Sequence, residues 1–401
     1  MTPNIGHIVF VTDAFWPEAG GVERVCVELA RAFVRRGVRI TVFARRVVDR
    51  PADEVHDGIQ IRRFAQAERP TPWVWATSAA SAAARFFEVA RFERPDLVHM
   101  HLAMSAQGPL SVLRPRGIPT VASFYGRWDR EFAAELDEAP LTPVRFIYND
   151  AQMVAQRVMQ RRLLVRADRV VVLSDYSRAQ ALSLAPGLGP KIRKIPGGVD
   201  PRRFHPRDSA AQITTPTIST VRRLVRRMGV DLLIEALPAV AREFPDVRLV
   251  VGGKGPLDSS LLSLVRKCGV ADRVEFRGYV AEDDLPELYR RSSLFVVPTR
   301  AQENFGLPVL EAAACGVAVL ATNVGSLPEV VGLAGASHPC VDPAPSTLSE
   351  GIIRALRRSR DAAEIRRRDV EAERVRRDLS WDTIADRYLD LYREARACAW
   401  R

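Results

Sequence analysis

The stretch Phe295-Val296-Val297-Pro298-Thr299-Arg300-Ala301-Gln302-Glu303-Asn304-Phe305-Gly306-Leu307-Pro308-Val309-Leu310-Glu311-Ala312 reads as a buried strand, a polar loop, a glycine turn and the start of a helix. Pro308 suits the first helical position, where its fixed φ fits and a missing N–H costs nothing. The N–H groups of Phe305, Gly306 and Leu307 then stand at a helix N-terminus, whose partial positive charge suits a phosphate. Glu311 falls in the first turn, and its side chain leans back toward that end. Glu303 lies in the loop ahead of it. Two carboxylates thus flank an anion site, and carboxylates accept hydrogen bonds from hydroxyls. The arrangement suits a sugar and a ribose on either side of a diphosphate. Spacing alone leaves the plainer alternative equally open: Glu311 as a helix-dipole carboxylate and Glu303 as a solvated loop residue.

The same strand–helix alternation extends outward from this stretch. Strands are predicted at 217–221, 247–251, 273–277, 293–298 and 317–321, and helices at 229–243, 257–268, 283–291, 307–315, 326–331 and 346–358. Apolar runs at 8–11, 40–44, 97–101, 120–124 and 169–174 repeat the pattern earlier in the chain, with helical spacing over 22–35 (Val22, Val25, Leu29, Phe33) and a helix over 150–166. Short apolar strands separated by helices imply parallel sheets covered on both faces. The Pro- and Gly-rich segment 195–212 separates the two series like a linker. The fold class expected is therefore α/β, with two doubly wound domains in tandem: 1–195, a linker at 196–212, and 213–379, with a helix over about 380–401 packing back on the first domain. Ligands in such folds bind outside the carboxyl ends of the strands, so two facing sheets predict a cleft.

Length and composition agree. A chain of 401 residues exceeds one ordinary core. With 47% hydrophobic and 27% charged residues it reads as a globular protein rather than a disordered or fibrous one. No window approaches the roughly 20 apolar residues of a membrane helix, and the first residues do not form a secretion signal. The five cysteines form no CxxC pair, which points to reduced packing residues in the cytoplasm. The net charge of +11 is carried mostly by arginine. It is consistent with an anionic membrane face or a phosphorylated substrate, or simply with arginine-rich composition. The densest run, 354–377, is interleaved with acids and reads as a salt-bridged surface helix. No nucleic-acid-binding motif accompanies it.

The 298–319 run matches the E-x7-E segment of glycosyltransferase family 4, retaining enzymes of the GT-B fold, at nearly every signature position, and the chain resembles that family over nearly its whole length. The resemblance implies two Rossmann-like domains facing a cleft. It implies that Glu303 holds hydroxyls of the donor sugar, that Glu311 holds the ribose, and that the backbone of Asn304, Phe305, Gly306 and Leu307 holds the diphosphate. The segment 221–233 resembles the family's G-R-L-x-x-x-K-G stretch, whose Arg and Lys grip donor phosphates. Arg223 matches the arginine. The lysine position is Met228, and Arg227 stands one residue earlier with a fork suited to phosphate. The resemblance implies that Gly253, in a glycine turn after a strand, lies along the nucleotide pocket, and that Gly278 and Tyr279 belong to the segment whose backbone contacts the base. Pro196-Gly197-Gly198-Val199-Asp200 with Phe204 and Pro206 resembles the family's interdomain string.

In the first domain, Phe15 to Glu23 resembles the family's Gly-Gly loop, in which Gly20 and Gly21 would approach the diphosphate. Ser123-Phe124-Tyr125-Gly126 stands at a segment that usually carries a histidine beside the reacting carbon. Tyr125 here cannot titrate near neutrality. His99 and His101 share one strand face. No third ligand accompanies them, so a metal site is rejected; His101 either lines an acceptor pocket or is structural. Trp16, Tyr125 and Trp128 are candidates for an aromatic wall against an acceptor.

Together these features predict transfer of a hexose or amino-hexose from a UDP- or GDP-sugar, without a metal or other cofactor, to a hydroxyl of a glycan, lipid-linked or small-molecule acceptor. Glu303, Arg223, Arg227, His101 and Tyr125 form the expected reaction centre. The resemblance implies electrostatic stabilisation of the leaving diphosphate. A cytoplasmic place is expected, with peripheral contact to an anionic membrane left open and nucleic acid excluded. The competing readings are a catalytically silent nucleotide-sugar-binding component of a biosynthetic complex and an epimerase of the same fold. A phosphorylase would need a pyridoxal-phosphate lysine in a context not found here.

Overall fold

A computed structural model describes residues 5–17, 20–65, 74–113, 117–136, 143–207 and 215–399. Glu18 and Ala19 of the glycine loop, and 208–212 of the connecting segment, lie outside the described residues. The chain divides into two compact units: Met1–Asp129 with Leu141–Gly197 and Trp381–Arg401, and Arg130–Pro140 with Gly198–Ser380.

The first unit carries β1 (His7–Val11), β2 (Arg39–Arg45), β3 (Asp53–His56), β4 (Ile59–Phe64), β5 (Leu97–Met100), β6 (Thr120–Phe124), β7 (Arg169–Val172) and β8 (Ile192–Lys194). They form one sheet in the order β3-β4-β2-β1-β5-β6-β7-β8. Every pairing is parallel except that of β3 with β4. All five residues of β1 are buried, as a central strand covered by helices on both faces requires. On one face Phe43 stacks on Phe64 at 5.0 Å and meets Phe86 edge-on.

On the other face lies the C-terminal helix Trp381–Ala399, which belongs to this unit. Tyr388 and Tyr392 are 1% and 0% exposed, and Tyr392 contacts Phe33 at 5.7 Å. A buried aromatic removes about 150–250 Å² from water, worth roughly 4–6 kcal/mol at ~25 cal/mol per Å². Ion pairs of Arg36 with Asp382 and Asp386 ring the contact. Such half-exposed pairs contribute about 0–1 kcal/mol each. Apolar packing therefore holds this helix.

The second unit carries β9 (Thr217–Val221), β10 (Arg248–Gly252), β11 (Val274–Gly278), β12 (Leu294–Val297) and β13 (Ala318–Ala321). They form an all-parallel sheet in the order β11-β10-β9-β12-β13. Leu233, Leu237 and Val240 of helix Val230–Glu243 pack with Ile352 and Leu356 of helix Pro345–Arg358 in the core.

Several sequence expectations need correction. The charged run over 354–377 is two helices, Pro345–Arg358 and Ala362–Asp378, because Asp361 caps the second by accepting from Ala363 N at 2.8 Å. Its interleaved charges do pair: Glu364 with Arg358 and Arg367, and Glu371 with Arg374. The described part of the supposed linker is not loose. Val199 N donates to Leu379 O at 2.8 Å, and Phe204 is 3% exposed against Tyr289. Helix Ala103–Leu113 was not expected, since Gly108 and Pro109 interrupt its helical pattern. The glycine is there for contact: a Cβ on it would lie 2.4 Å from Ala79 O of helix Val74–Phe92.

Candidate functional site

The carboxyl ends of β9, β10 and β11 bring three of the singled-out segments together. Arg222 N donates to Gly252 O at 2.9 Å, Leu224 N to Lys254 O at 3.0 Å, and Gly253 N to Gly278 O at 2.7 Å. Gly253 has φ +126, and a Cβ there would fall 1.7 Å from Arg222 O, so only glycine fits. Tyr279 follows with 62% of its surface exposed.

The loop after β12 is fixed by the same end of the sheet. Arg300 N donates to Arg227 O at 2.8 Å, and Arg227 Nη1 to Gln302 O at 3.2 Å. The Glu303 carbonyl accepts from Ser326 N at 3.0 Å and from Ser326 Oγ at 3.1 Å. Gly306 then turns with φ +84 into helix Leu307–Ala314. The helix begins at Leu307, so Pro308 takes its second position rather than the first; at either position its missing N–H is an orphan. Asn304, Phe305, Gly306 and Leu307 form the approach to this helix end, with Phe305 and Leu307 buried.

The arginines divide their work. Arg223 Nη2 donates to Glu135 Oε1 at 2.6 Å and Arg227 Nε to the same oxygen at 3.3 Å. Asn304 Nδ2 donates to Glu131 Oε1 at 2.6 Å. Burial pushes the Glu131 carboxyl above its usual range. Residues 130–140 group with this unit. Two guanidinium groups thus converge on one carboxylate oxygen, the geometry of charge-assisted hydrogen bonds.

The sequence reading missed the partner of Glu303. Arg222 Nη2 donates to Glu303 Oε2, to Thr299 Oγ1 at 2.7 Å and to Met228 Sδ at 3.1 Å. The side chains of Arg222 and Glu303 are 5% and 13% exposed. The signal was present: aligned on Arg223, the pattern G-R-L places Arg222 on its glycine. Glu311 is also more enclosed than a solvated helix carboxylate. It is 3% exposed, and Tyr289 Oη donates to its Oε2 at 2.8 Å. Tyr289 carried no sequence signal beyond an apolar helix position.

In the first unit, Gly20 is the N-cap of helix Gly21–Arg35 with extended backbone and no side-chain cap. A Cβ on Gly20 would meet the Glu23 carboxylate, whereas one on Gly21 would meet nothing. His101 and Tyr125 meet: His101 Nδ1 is 2.7 Å from Tyr125 Oη. Burial lowers His101 to about 3 and drives the Tyr125 phenol well up, so both are neutral near pH 7. His99 bridges Tyr392 Oη at 2.7 Å and Ser123 Oγ at 2.8 Å, a structural role. Trp128 shares a cavity of about 10 Å³ with His101 and Tyr125. That is room for about one water and not for a sugar ring. Trp16 is engaged elsewhere: its ring stacks on His56 at 3.8 Å, under the Arg50 guanidinium.

Comparison with known proteins agrees with this arrangement. The family "Glycosyl transferases group 1" matches residues 201–372, and "Glycosyltransferase Family 4" matches residues 19–203. The chain is 26% identical over 407 residues to a phosphatidylinositol N-acetylglucosaminyltransferase subunit of Arabidopsis thaliana, covering 98% of this chain and 83% of that protein. It is 29% identical over 412 residues to a D-inositol 3-phosphate glycosyltransferase of Saccharomonospora viridis, covering 95% and 90%. Among solved structures, sucrose-phosphate synthase of Thermosynechococcus elongatus superposes with a TM-score of 0.79 at 22% identity, covering 97% of this chain and 98% of that one. The two Rossmann-like units are those of the GT-B fold, and the activity class is glycosyl transfer. With the two family matches running from residue 19 to residue 372, the chain belongs to glycosyltransferase family 4.

Proposed function

We propose that this protein transfers a hexose or amino-hexose from a UDP- or GDP-sugar to a hydroxyl of a phosphate-bearing acceptor, with retention at the anomeric carbon and without a metal. The donor belongs to the second unit and the acceptor to the first. The observation that carries the reading is the convergence of Arg223 and Arg227 on a single carboxylate oxygen, at 2.6 and 3.3 Å, beside the loop of Glu303. A diphosphate would take the place of that carboxylate, with the N–H groups of 305–307 and Gly253 adding neutral donors. Glu303 would accept from the sugar hydroxyls and Glu311 from the ribose. Within the first unit, Gly20 and Gly21 stand at a helix N-terminus without a side-chain cap, an end that suits an anion.

The sugar would leave as the diphosphate gathers negative charge, and the acceptor hydroxyl would attack from the same face. Its proton passes to the departing phosphate oxygen. Catalysis is then mostly electrostatic, which suits a site built from fixed arginines and backbone N–H groups. Neutral His101 and Tyr125 would contribute hydrogen bonds and shape rather than a titrating base.

Two facts favour a phosphorylated acceptor. Both quoted relatives carry an inositol phosphate, as a lipid or in soluble form, in their names. The chain is also strongly positive, at +11. The same charge supports action at the cytoplasmic side of an anionic membrane. The test is UDP or GDP release from a panel of nucleotide sugars, each with inositol phosphate, with phosphatidylinositol vesicles and with no acceptor. Release from one donor, accelerated by a phosphorylated acceptor, is expected. Tight nucleotide binding with no turnover on any pair would favour the silent binding component instead.

A further inference from the structure

Arg222 is the most enclosed cation beside the loop of Glu303, and the proposed transfer leaves it without a role. Its backbone continues β9 by bonding Gly252 O, and Gly253 packs directly on its carbonyl, so its Cα is fixed from behind. A single nitrogen, Nη2, serves Glu303, Thr299 and Met228. Thr299 Oγ1 in turn donates to Glu303 Oε2 at 3.3 Å, and Thr299 itself is 0% exposed. One carboxylate oxygen of Glu303 is therefore held by two groups, while the other accepts from neither. The Arg222 Nε–H is buried and has no hydrogen-bond partner among the described residues. Unsatisfied buried donors are uncommon and call for an explanation such as function. A buried arginine is also expensive unless paired, so Arg222 and Glu303 depend on each other.

We propose that Arg222 is the positioning residue for Glu303, holding its carboxylate aimed at the donor sugar, and that it fills this role because the neighbouring side chain, Met228, brings no charge. The inference rests on the donor-site reading above. Its distinctive consequence comes from the 3.1 Å contact of Arg222 Nη2 with Met228 Sδ. A lysine side chain at 228 extends two bonds beyond that sulfur position and can bring its ammonium to the same carboxylate. The cation is thus transferable between the two positions.

The experiment compares the parent with Arg222→Met, Arg222→Lys, Met228→Lys and the double variant Arg222→Met/Met228→Lys in the full chain. Measured for each are nucleotide release from the donor panel, UDP and GDP affinity, and Tm. Arg222→Met is expected to lose about 100-fold in kcat, the scale of one well-placed charged donor, with UDP or GDP affinity within about threefold of the parent on that same scale. The double variant is expected to recover at least about tenfold of that loss. Parent-level kcat in Arg222→Met would overturn the proposal. So would a double variant that regains Tm but not kcat, since the role would then be structural. Where Arg222→Met does not fold, Arg222→Lys decides: reduced kcat at unchanged Tm and nucleotide affinity supports the proposal, and unchanged kcat overturns it. Failure of the donor-site reading itself looks different, because Glu303→Ala would then retain full turnover.

Discussion

Tyr289 Oη donates to Glu311 Oε2 at 2.8 Å, with both residues buried at 0% and 3% exposure. The tyrosine comes from the short helix Leu285–Arg290 and the glutamate is the fifth residue of Leu307–Ala314, in its second turn rather than the first. The bond fixes the carboxylate through that oxygen. Tyr289→Phe removes the donor but keeps the ring packing against Phe295. A loss of about 1–3 kcal/mol in unfolding free energy is expected from the weakened acceptor. If Glu311 holds the ribose, KM for the donor rises while kcat is largely kept. Denaturant unfolding and initial-rate kinetics on the variant check the two halves separately.

Arg223 and Arg227 share an acceptor but differ in setting. The Arg223 side chain is 60% exposed and that of Arg227 10%, and Arg227 alone of the two also bonds the Gln302 carbonyl. Arg223→Ala should therefore lower kcat/KM by about 10²-fold with Tm unchanged. Arg227→Ala should lower both. Thermal melts beside kinetics separate these outcomes, and equal Tm losses would contradict the division.

Gly325 has φ +60, and a Cβ on it would lie 2.2 Å from Glu303 O. Gly325→Ala is strained in its own backbone and also pushes on the carbonyl that Ser326 anchors. A loss of about 1–3 kcal/mol in stability and a fall in kcat larger than any change in UDP or GDP affinity are expected. Calorimetry and nucleotide titration of the variant provide the check.

Acid should destabilise the protein through its buried histidines. Burial lowers His101 to about 3 and His338 to about 4 from an ordinary 6.5. Between those folded values and 6.5 the unfolded chain binds more protons than the native one, so stability rises with pH across this window and is lost as pH falls. Glu364, held near 2 by Arg367, Ser337 and Arg358 despite its burial, adds a second loss as pH falls from 4.5 toward 2. Tm is therefore expected to decline from about pH 6.5 downward. His338→Gln should flatten the decline above about pH 4, and an unchanged slope would contradict the assignment.

Much of the fold was legible because the strands of both units are short, apolar and β-branched, as at Leu294-Phe295-Val296-Val297. β3 was not, since Asp53-Glu54-Val55-His56 is a polar edge strand with Val55 exposed. At the site, Glu303, Glu311, Arg223 and Arg227 could be singled out because their spacing from glycines and strand ends is local. What could not be read is which groups face them across the sheet. The bonds of Arg222 to Glu303 and of Tyr289 to Glu311 join residues 81 and 22 positions apart, and such pairs follow from sheet order rather than from any periodicity. The aromatic trio likewise came apart, because Trp16 found His56 as a stacking partner instead of Tyr125 or Trp128.

The central claim, that the carboxylate of Glu303 holds the donor sugar, is tested most directly by Glu303→Ala assayed for sugar transfer and for UDP and GDP binding in parallel. The account predicts transfer below about 1% of the parent, the scale for loss of a group acting in the transition state, with nucleotide affinity nearly intact. Full transfer activity in Glu303→Ala would contradict it.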